Sequence, residues 1–141
     1  MSKRSKKAQV WIGHQAEGHE PEVLLFRVID VRGGGWHPVT GGVEKGETFF
    51  EGAKREVLEE TGIPEKSGKW IDLEYIHEFT GRFGDVEEHV FGFILKSAKQ
   101  EPVLDPREHL EFKWVPLKDA LTQVRFEPQR HALKKFSCYF K

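Results

Sequence analysis

The sequence predicts an α/β protein, and three features carry that reading. Apolar runs bounded by polar turns recur along the chain, as in Glu22–Ile29 (Glu-Val-Leu-Leu-Phe-Arg-Val-Ile) and His89–Leu95 (His-Val-Phe-Gly-Phe-Ile-Leu). One central segment, from Thr48 to Gly62, carries both a start and a stop signal for a helix. The chain then closes with two stretches of helical character, Lys118–Val124 and Pro128–Cys138. At 141 residues there is room for one core, so residues 1–141 are expected to form a single domain.

Taken in order, the basic segment Met1–Lys7 is expected to be a frayed, solvated tail. Ala8–Gly13 reads as a strand, and the polar turn Glu17–Pro21 makes Glu22–Ile29 its hairpin partner. Arg32–Gly35 reads as a flexible loop, and Trp36–Thr40 leads from it into a glycine-rich turn. Thr48 with Glu51 three residues on forms a capping box. Gly62, followed by Ile63-Pro64, supplies a left-handed cap and then a residue that cannot continue a helix. Phe50, Ala53 and Val57 share an arc that would anchor this helix to a core. Gly52, inside the helix, costs about 1 kcal/mol against alanine, which suggests the close approach of a loop or ligand. Lys66–Lys69 reads as a loop, Trp70–Thr80 as one or two strands, and Gly81–Glu88 as a hairpin connection into His89–Leu95. Ser97–Pro106 is a polar loop. Phe112 and Trp114, with Leu110, then alternate as in a half-buried strand, leaving Glu108 in the loop before it. Pro116-Leu117 opens a short helix, and the last helix turns Ala132, Leu133 and Phe136 inward.

The central helix also carries chemistry. Glu56, Glu59 and Glu60 stand at i, i+3 and i+4, so their carboxylates share one face. Each like-charged pair costs about 4 kcal/mol at 4 Å and an effective dielectric of 20. Solvation is the plain remedy, protonation or a cation the others. Here the cluster follows a glycine-rich turn and neighbours Arg55, which can brace Glu59 at i+4. Several oxygen ligands around a small hard cation is what Mg²⁺ or Mn²⁺ chemistry on phosphates requires.

Gly41-x5-Glu47-x7-Arg55-Glu56-Val57-x-Glu59-Glu60-x-Gly62-Ile63 resembles the Nudix box at all nine constrained positions of a 23-residue motif. The resemblance implies an α/β/α sandwich, a mixed sheet between helices, and a hydrolase of pyrophosphate linkages that uses divalent cations. Trp36-x-x-Val39-Thr40-Gly41-Gly42, Glu108-His109-x-x-x-Lys113-Trp114 and Gln129-Arg130-x-Ala132-Leu133 are further similar to the bacterial branch that acts on dihydroneopterin triphosphate and dATP. That likeness implies Mg²⁺ (or Mn²⁺) ligands at Glu56, Glu60 and Glu108, and a substrate contact at Thr40. Glu59 is implied as a further ligand or as general base, with Arg55 orienting it and Glu47 completing the outer shell. The expected reaction is attack of a metal-activated water on a nucleoside or pterin triphosphate, giving the monophosphate and pyrophosphate. Two adjacent basic residues often follow the second strand in that branch, whereas here Val28 follows Arg27.

Other residues have two readings. Arg27 either snorkels at a sheet edge or meets a substrate phosphate. Trp36 is core, or it lines a pocket where a planar base stacks. The amides of Gly41 and Gly42, beside Thr40, lie where backbone donors can approach a phosphate. Arg82, Glu87 and Glu88 are candidates for substrate or metal contact, with solvation the simpler reading. The basic start could help to steer an anionic substrate.

Composition narrows the classes. A net charge of −1 with 32% charged residues argues against a dedicated nucleic-acid surface. No apolar run reaches the length of a membrane span, and no signal-peptide pattern follows the basic start. Cys138 is the sole cysteine, so no intrachain bridge forms, and a cytoplasmic location is expected. Dinucleoside polyphosphates, ADP-ribose-type compounds and RNA 5′-triphosphate ends are the alternative substrates. A non-catalytic nucleotide sensor and a plain structural domain are the alternative classes.

Overall fold

The sheet is assembled on β1 (Ser5–His14), which pairs with three other strands in the computed structural model. The structure describes residues 4–29 and 34–141. Along one edge β1 runs parallel to β6 (Gly84–Leu95), from Ser5 opposite Val86 to Gly13 opposite Ile94. Its other edge is shared. Lys7–Val10 pair antiparallel with β4 (Val39–Gly42), and Ile12–His14 pair with β2 (Glu22–Val28). β2 also pairs with β3 (Trp36–His37) and with β7 (His109–Pro116), while β5 (Gly68–Gly81) closes the far side against β6. The described residues thus form a seven-stranded mixed sheet.

Alternation along the strands builds two cores. Val10, Ile12, Leu24, Phe26, Phe91 and Phe93 face one side, where Ala53 and Val57 of α1 (Phe49–Thr61) pack on them. Trp11, Val23, Leu25 and Val90 face the other, under α2 (Leu117–Gln123) and α3 (Glu127–Ser137). Ala132, Leu133 and Phe136 of α3 are buried there, as the helical spacing predicts. Helices on both faces of a mixed sheet make the α/β/α sandwich.

α1 begins and ends on its sequence signals. The amide of Glu51 donates to Thr48 Oγ1 at 3.0 Å, and the amide of Thr48 donates to Glu51 Oε1 at 2.9 Å. Gly62, at φ 75°, donates to the Leu58 carbonyl and stops the helix.

Several expectations are corrected. Ser5–Lys7 are not a frayed tail: they pair with Val86–Glu88, and Lys7 also pairs with Gly42. Met1–Lys3 lie outside the described residues, as do Arg32 and Gly33 of the expected glycine-rich loop. Trp70–Thr80 lie in one strand, the first of the two expected alternatives, irregular between Asp72 and Tyr75, where Glu74 takes φ 53°. The hairpin connection is only Arg82-Phe83, so Asp85–Glu88 belong to β6. Gly68 and Lys69 start β5, preceded by a 3₁₀ turn at Glu65–Ser67. Phe50 is 40% exposed rather than an anchor, lying against the rings of Trp70 and Phe91 at the rim.

Candidate active site

Arg55 ties the glycine-rich turn to α1. Its Nε donates to Glu47 Oε2 at 2.8 Å and its Nη2 to Glu47 Oε1 at 3.0 Å, a two-point grip that only a guanidinium can make. Nη2 also donates to the Gly42 carbonyl at 2.8 Å. Nη1 donates to Glu56 Oε1 at 3.1 Å and to Glu59 Oε2 at 3.0 Å, the expected i+4 brace. These contacts hold Glu47 below the usual carboxylate range, the Arg55 hydrogen bond being the main cause.

Two glycines, one before the turn and one in α1, keep the approach of turn and helix close. A Cβ on Gly41 would stand 2.1 Å from Glu56 Cδ, so any side chain there would expel the Glu56 carboxylate. Gly52 faces the turn itself: its Cβ would lie 3.1 Å from Val43 Cγ2, so the close approach its sequence suggested is that of a loop.

Glu60, one turn beyond Glu56, points into the protein and is 6% exposed. Oxygen or ring-nitrogen atoms of Glu60, Glu108 and His109 all lie within 4.8 Å of one another. Burial, then Glu108, then Glu56 push the Glu60 carboxyl up to about 10. Burial also raises Glu56, against the pull of Arg55. Glu60 Oε2 is buried with no hydrogen-bond partner among the described residues. Converging carboxylates with an unpartnered buried oxygen fit a hard divalent cation, and Glu56, Glu60 and Glu108 could hold it. His109 is an addition, since the sequence reading gave it no role; the signal for it was its place in the Glu108-His109-x-x-x-Lys113-Trp114 stretch.

A cavity of about 430 Å³ adjoins this cluster. Glu60, Glu108 and His109 line it with Thr40, Glu88 and Gln129, and aromatic rings complete the wall. Strand register explains the sheet side: Lys7, Glu88 and His77 are cross-strand neighbours on β1, β6 and β5. Glu88 is 6% exposed rather than solvated, and burial pushes it up to about 7 while Lys7 pulls the other way. Tyr75, His77 and Phe79 alternate along β5 and form a stacked strip, the last two 4.8 Å apart between ring centres. Burial lowers the His77 pKa.

The remaining sequence candidates fall elsewhere. Arg27 pairs with Glu111 across β2 and β7 and does not line the cavity. Trp36 is half-buried against the core under α2 and α3, with Lys113 Nζ 4.0 Å from its ring centre, also off the cavity wall. Arg82 sits at the exposed β5–β6 tip over Phe83. Glu87 hydrogen-bonds His89 at 2.8 Å. Glu59 is 57% exposed, held by Arg55 outside the Glu60–Glu108–His109 group.

Comparison with known proteins adds to this geometry. The model of the NUDIX domain matches residues 8–137. A Myxococcus xanthus octanoyltransferase is 35% identical over 127 residues, covering 86% of this chain and 34% of that protein. A Helicobacter pylori RNA pyrophosphohydrolase is 26% identical over 129 residues, covering 85% of this chain and 82% of that one. The chain spans about a third to a half of the length of the first curated relatives it matches. Among solved structures, the E. coli dihydroneopterin triphosphate pyrophosphohydrolase superposes with a TM-score of 0.80 at 26% identity, over 96% of both chains.

Proposed function

The chain belongs to the Nudix family, and from that premise we propose that it is a divalent-cation-dependent pyrophosphohydrolase. Its substrate on this reading is a nucleoside or dihydroneopterin triphosphate, cleaved to the monophosphate and pyrophosphate. The observation that carries the proposal is the convergence of Glu60, Glu108 and His109 on the cavity wall, with Glu60 Oε2 buried and unpartnered and Glu56 acting on Glu60 from one turn back.

The carboxylates of Glu56, Glu60 and Glu108 would hold Mg²⁺ or Mn²⁺. When bound, the ion supplies positive charge against the phosphate oxygens and acidifies water at the site. The protein's own groups do the rest. Thr40, on the cavity wall, and the amide of Gly42 would hold the phosphate chain, while the Gly41 amide is turned toward Ala8 in the antiparallel ladder. On this reading Glu59, which Arg55 holds and which is open to solvent, would take the proton of the attacking water or serve as a further ligand. Glu47 keeps Arg55 in register through its two-point contact. Water adds to one phosphorus, the anhydride bond to the next phosphate breaks, and pyrophosphate leaves.

Likeness to the E. coli dihydroneopterin triphosphate enzyme supports a small triphosphate as substrate. The Helicobacter pylori relative favours a second reading, the same cleavage at an RNA 5′-triphosphate end. A panel separates them: dihydroneopterin triphosphate, the common (d)NTPs, a 5′-triphosphate RNA, a dinucleoside tetraphosphate and ADP-ribose, with products identified. Pyrophosphate from the small triphosphates is expected. Turnover only of the tetraphosphate or ADP-ribose would refute the substrate assignment.

A further inference from the structure

Glu88 and Gln129 are buried in the cavity wall outside the carboxylate cluster, and the mechanism above uses neither. We propose that together they read two adjacent donors, a ring N–H and the amino group beside it, on the 2-amino-4-oxopyrimidine edge that guanine shares with pterins. This rests on the cavity being the base pocket of the reaction proposed above.

Both side chains have their polarity fixed from behind. Trp11 Nε1, which can only donate, gives its hydrogen to Gln9 Oε1 at 2.8 Å. The Gln9 amide therefore turns its NH₂ outward and donates to Glu88 Oε1 at 3.1 Å. This holds Glu88 as an acceptor, with Lys7 and His77 the charged or titratable neighbours across the strands. A carboxylate at this depth is costly to the fold unless further donors reach it.

The second chain begins at the Gly34 carbonyl, which lies 2.6 Å from His37 Nε2. A carbonyl only accepts, so Nε2 carries the hydrogen and Nδ1 is bare. Nδ1 then takes Gln129 Nε2 at 3.2 Å, and Gln129 Oε1 is left buried with no partner among the described residues. Gln129 is 9% exposed and lines the same cavity as Glu88. The wall thus offers two acceptors and, at Phe79–His77 and His37–Phe126, ring faces for a planar ligand.

The edges of the bases decide among ligands. Guanine and pterins place a ring N–H beside an amino group, two donors in a row. Adenine and cytosine place an acceptor beside their amino group, and uracil sets one N–H between two carbonyls. Only the first pattern meets paired acceptors without opposing lone pairs, and buried acceptors left unmet reject the others strongly.

The test is equilibrium binding of GMP, AMP and neopterin to the intact chain in EDTA, so that neither a cation nor bond cleavage enters the result. GMP and neopterin are expected to bind about tenfold or more tightly than AMP, a gain set by one or two satisfied hydrogen bonds. Glu88→Gln would turn an NH₂ toward the ligand, erase the preference and improve AMP. Gln129→Leu should weaken GMP and neopterin alone, with melting curves confirming that both variants fold. Tight GMP without neopterin would assign the edge to purine nucleotides, the reverse to pterins. Equal or AMP-favouring affinities, no binding of any probe, or a preference unchanged in both variants would overturn the proposal. A GMP preference in a chain that hydrolyses no triphosphate would sustain this inference and refute the hydrolytic reading.

Discussion

Glu60→Gln is expected to stabilise the metal-free chain while abolishing its response to divalent cations. The folded environment pushes the Glu60 carboxyl from its usual 4.5 up to about 10, so between those values the folded chain holds a proton that the unfolded chain has released. Stability contributed at this site therefore falls as pH rises through that window. At pH 7 the penalty is about 3 kcal/mol, the distance from the unfolded pKa converted at roughly 1.4 kcal/mol per unit. Glutamine has nearly the same shape and nothing to ionise, so it removes the penalty. For a domain of this size the gain corresponds to roughly 10 °C in Tm. The assay is thermal melting in EDTA from pH 5 to pH 8, for wild type and variant. The gap should be below about 1 kcal/mol at pH 5 and widen with pH. Added Mg²⁺ or Mn²⁺ should raise the wild-type Tm by mass action and leave the variant unmoved. A variant less stable than wild type at pH 7, or a gap flat in pH, would refute the reasoning.

Three further outcomes follow from the geometry. Arg55→Lys keeps the charge but loses the two-point grip on Glu47 and the reach to Gly42 and Glu59, so kcat should fall about a hundredfold with a smaller change in KM, read by steady-state kinetics. Gly41→Ala would set a methyl against the Glu56 carboxylate, weakening Mn²⁺ binding by about tenfold to a hundredfold in titration calorimetry. Thr48→Ala removes half of the capping box and should cost about 1 kcal/mol in denaturant unfolding while turnover is retained.

What the sequence made legible is what local geometry decides. The ends of α1 follow from Thr48, Glu51 and Gly62, and the Arg55–Glu59 contact follows from helical spacing. Individual strands and helices were legible for the same reason, since alternation and helical periodicity are short-range signals, while the α/β/α layering came with the resemblance of the Gly41–Ile63 motif to the Nudix box. Residues placed by distant pairing were not. Ser5–Lys7 become a strand because Val86–Glu88 run parallel beside them, a partner some eighty positions away. The same pairing buries Glu88, which in isolation reads as one acid among several exposed ones. His37 and Gln129 meet across 92 positions, and neither carries a motif that announces the other. Residue type alone leaves Trp36 between core and pocket and Arg27 between sheet edge and phosphate contact, and pairing across β3 and β7 sets them against the core and Glu111.

The measurement closest to the central claim is pyrophosphate release from a small triphosphate, titrated with Mg²⁺ in wild type and Glu60→Gln. The account predicts release that saturates with Mg²⁺ in the wild type and falls at least about a hundredfold in the variant, which remains folded. Release undiminished in Glu60→Gln, or independent of any divalent cation, would contradict it.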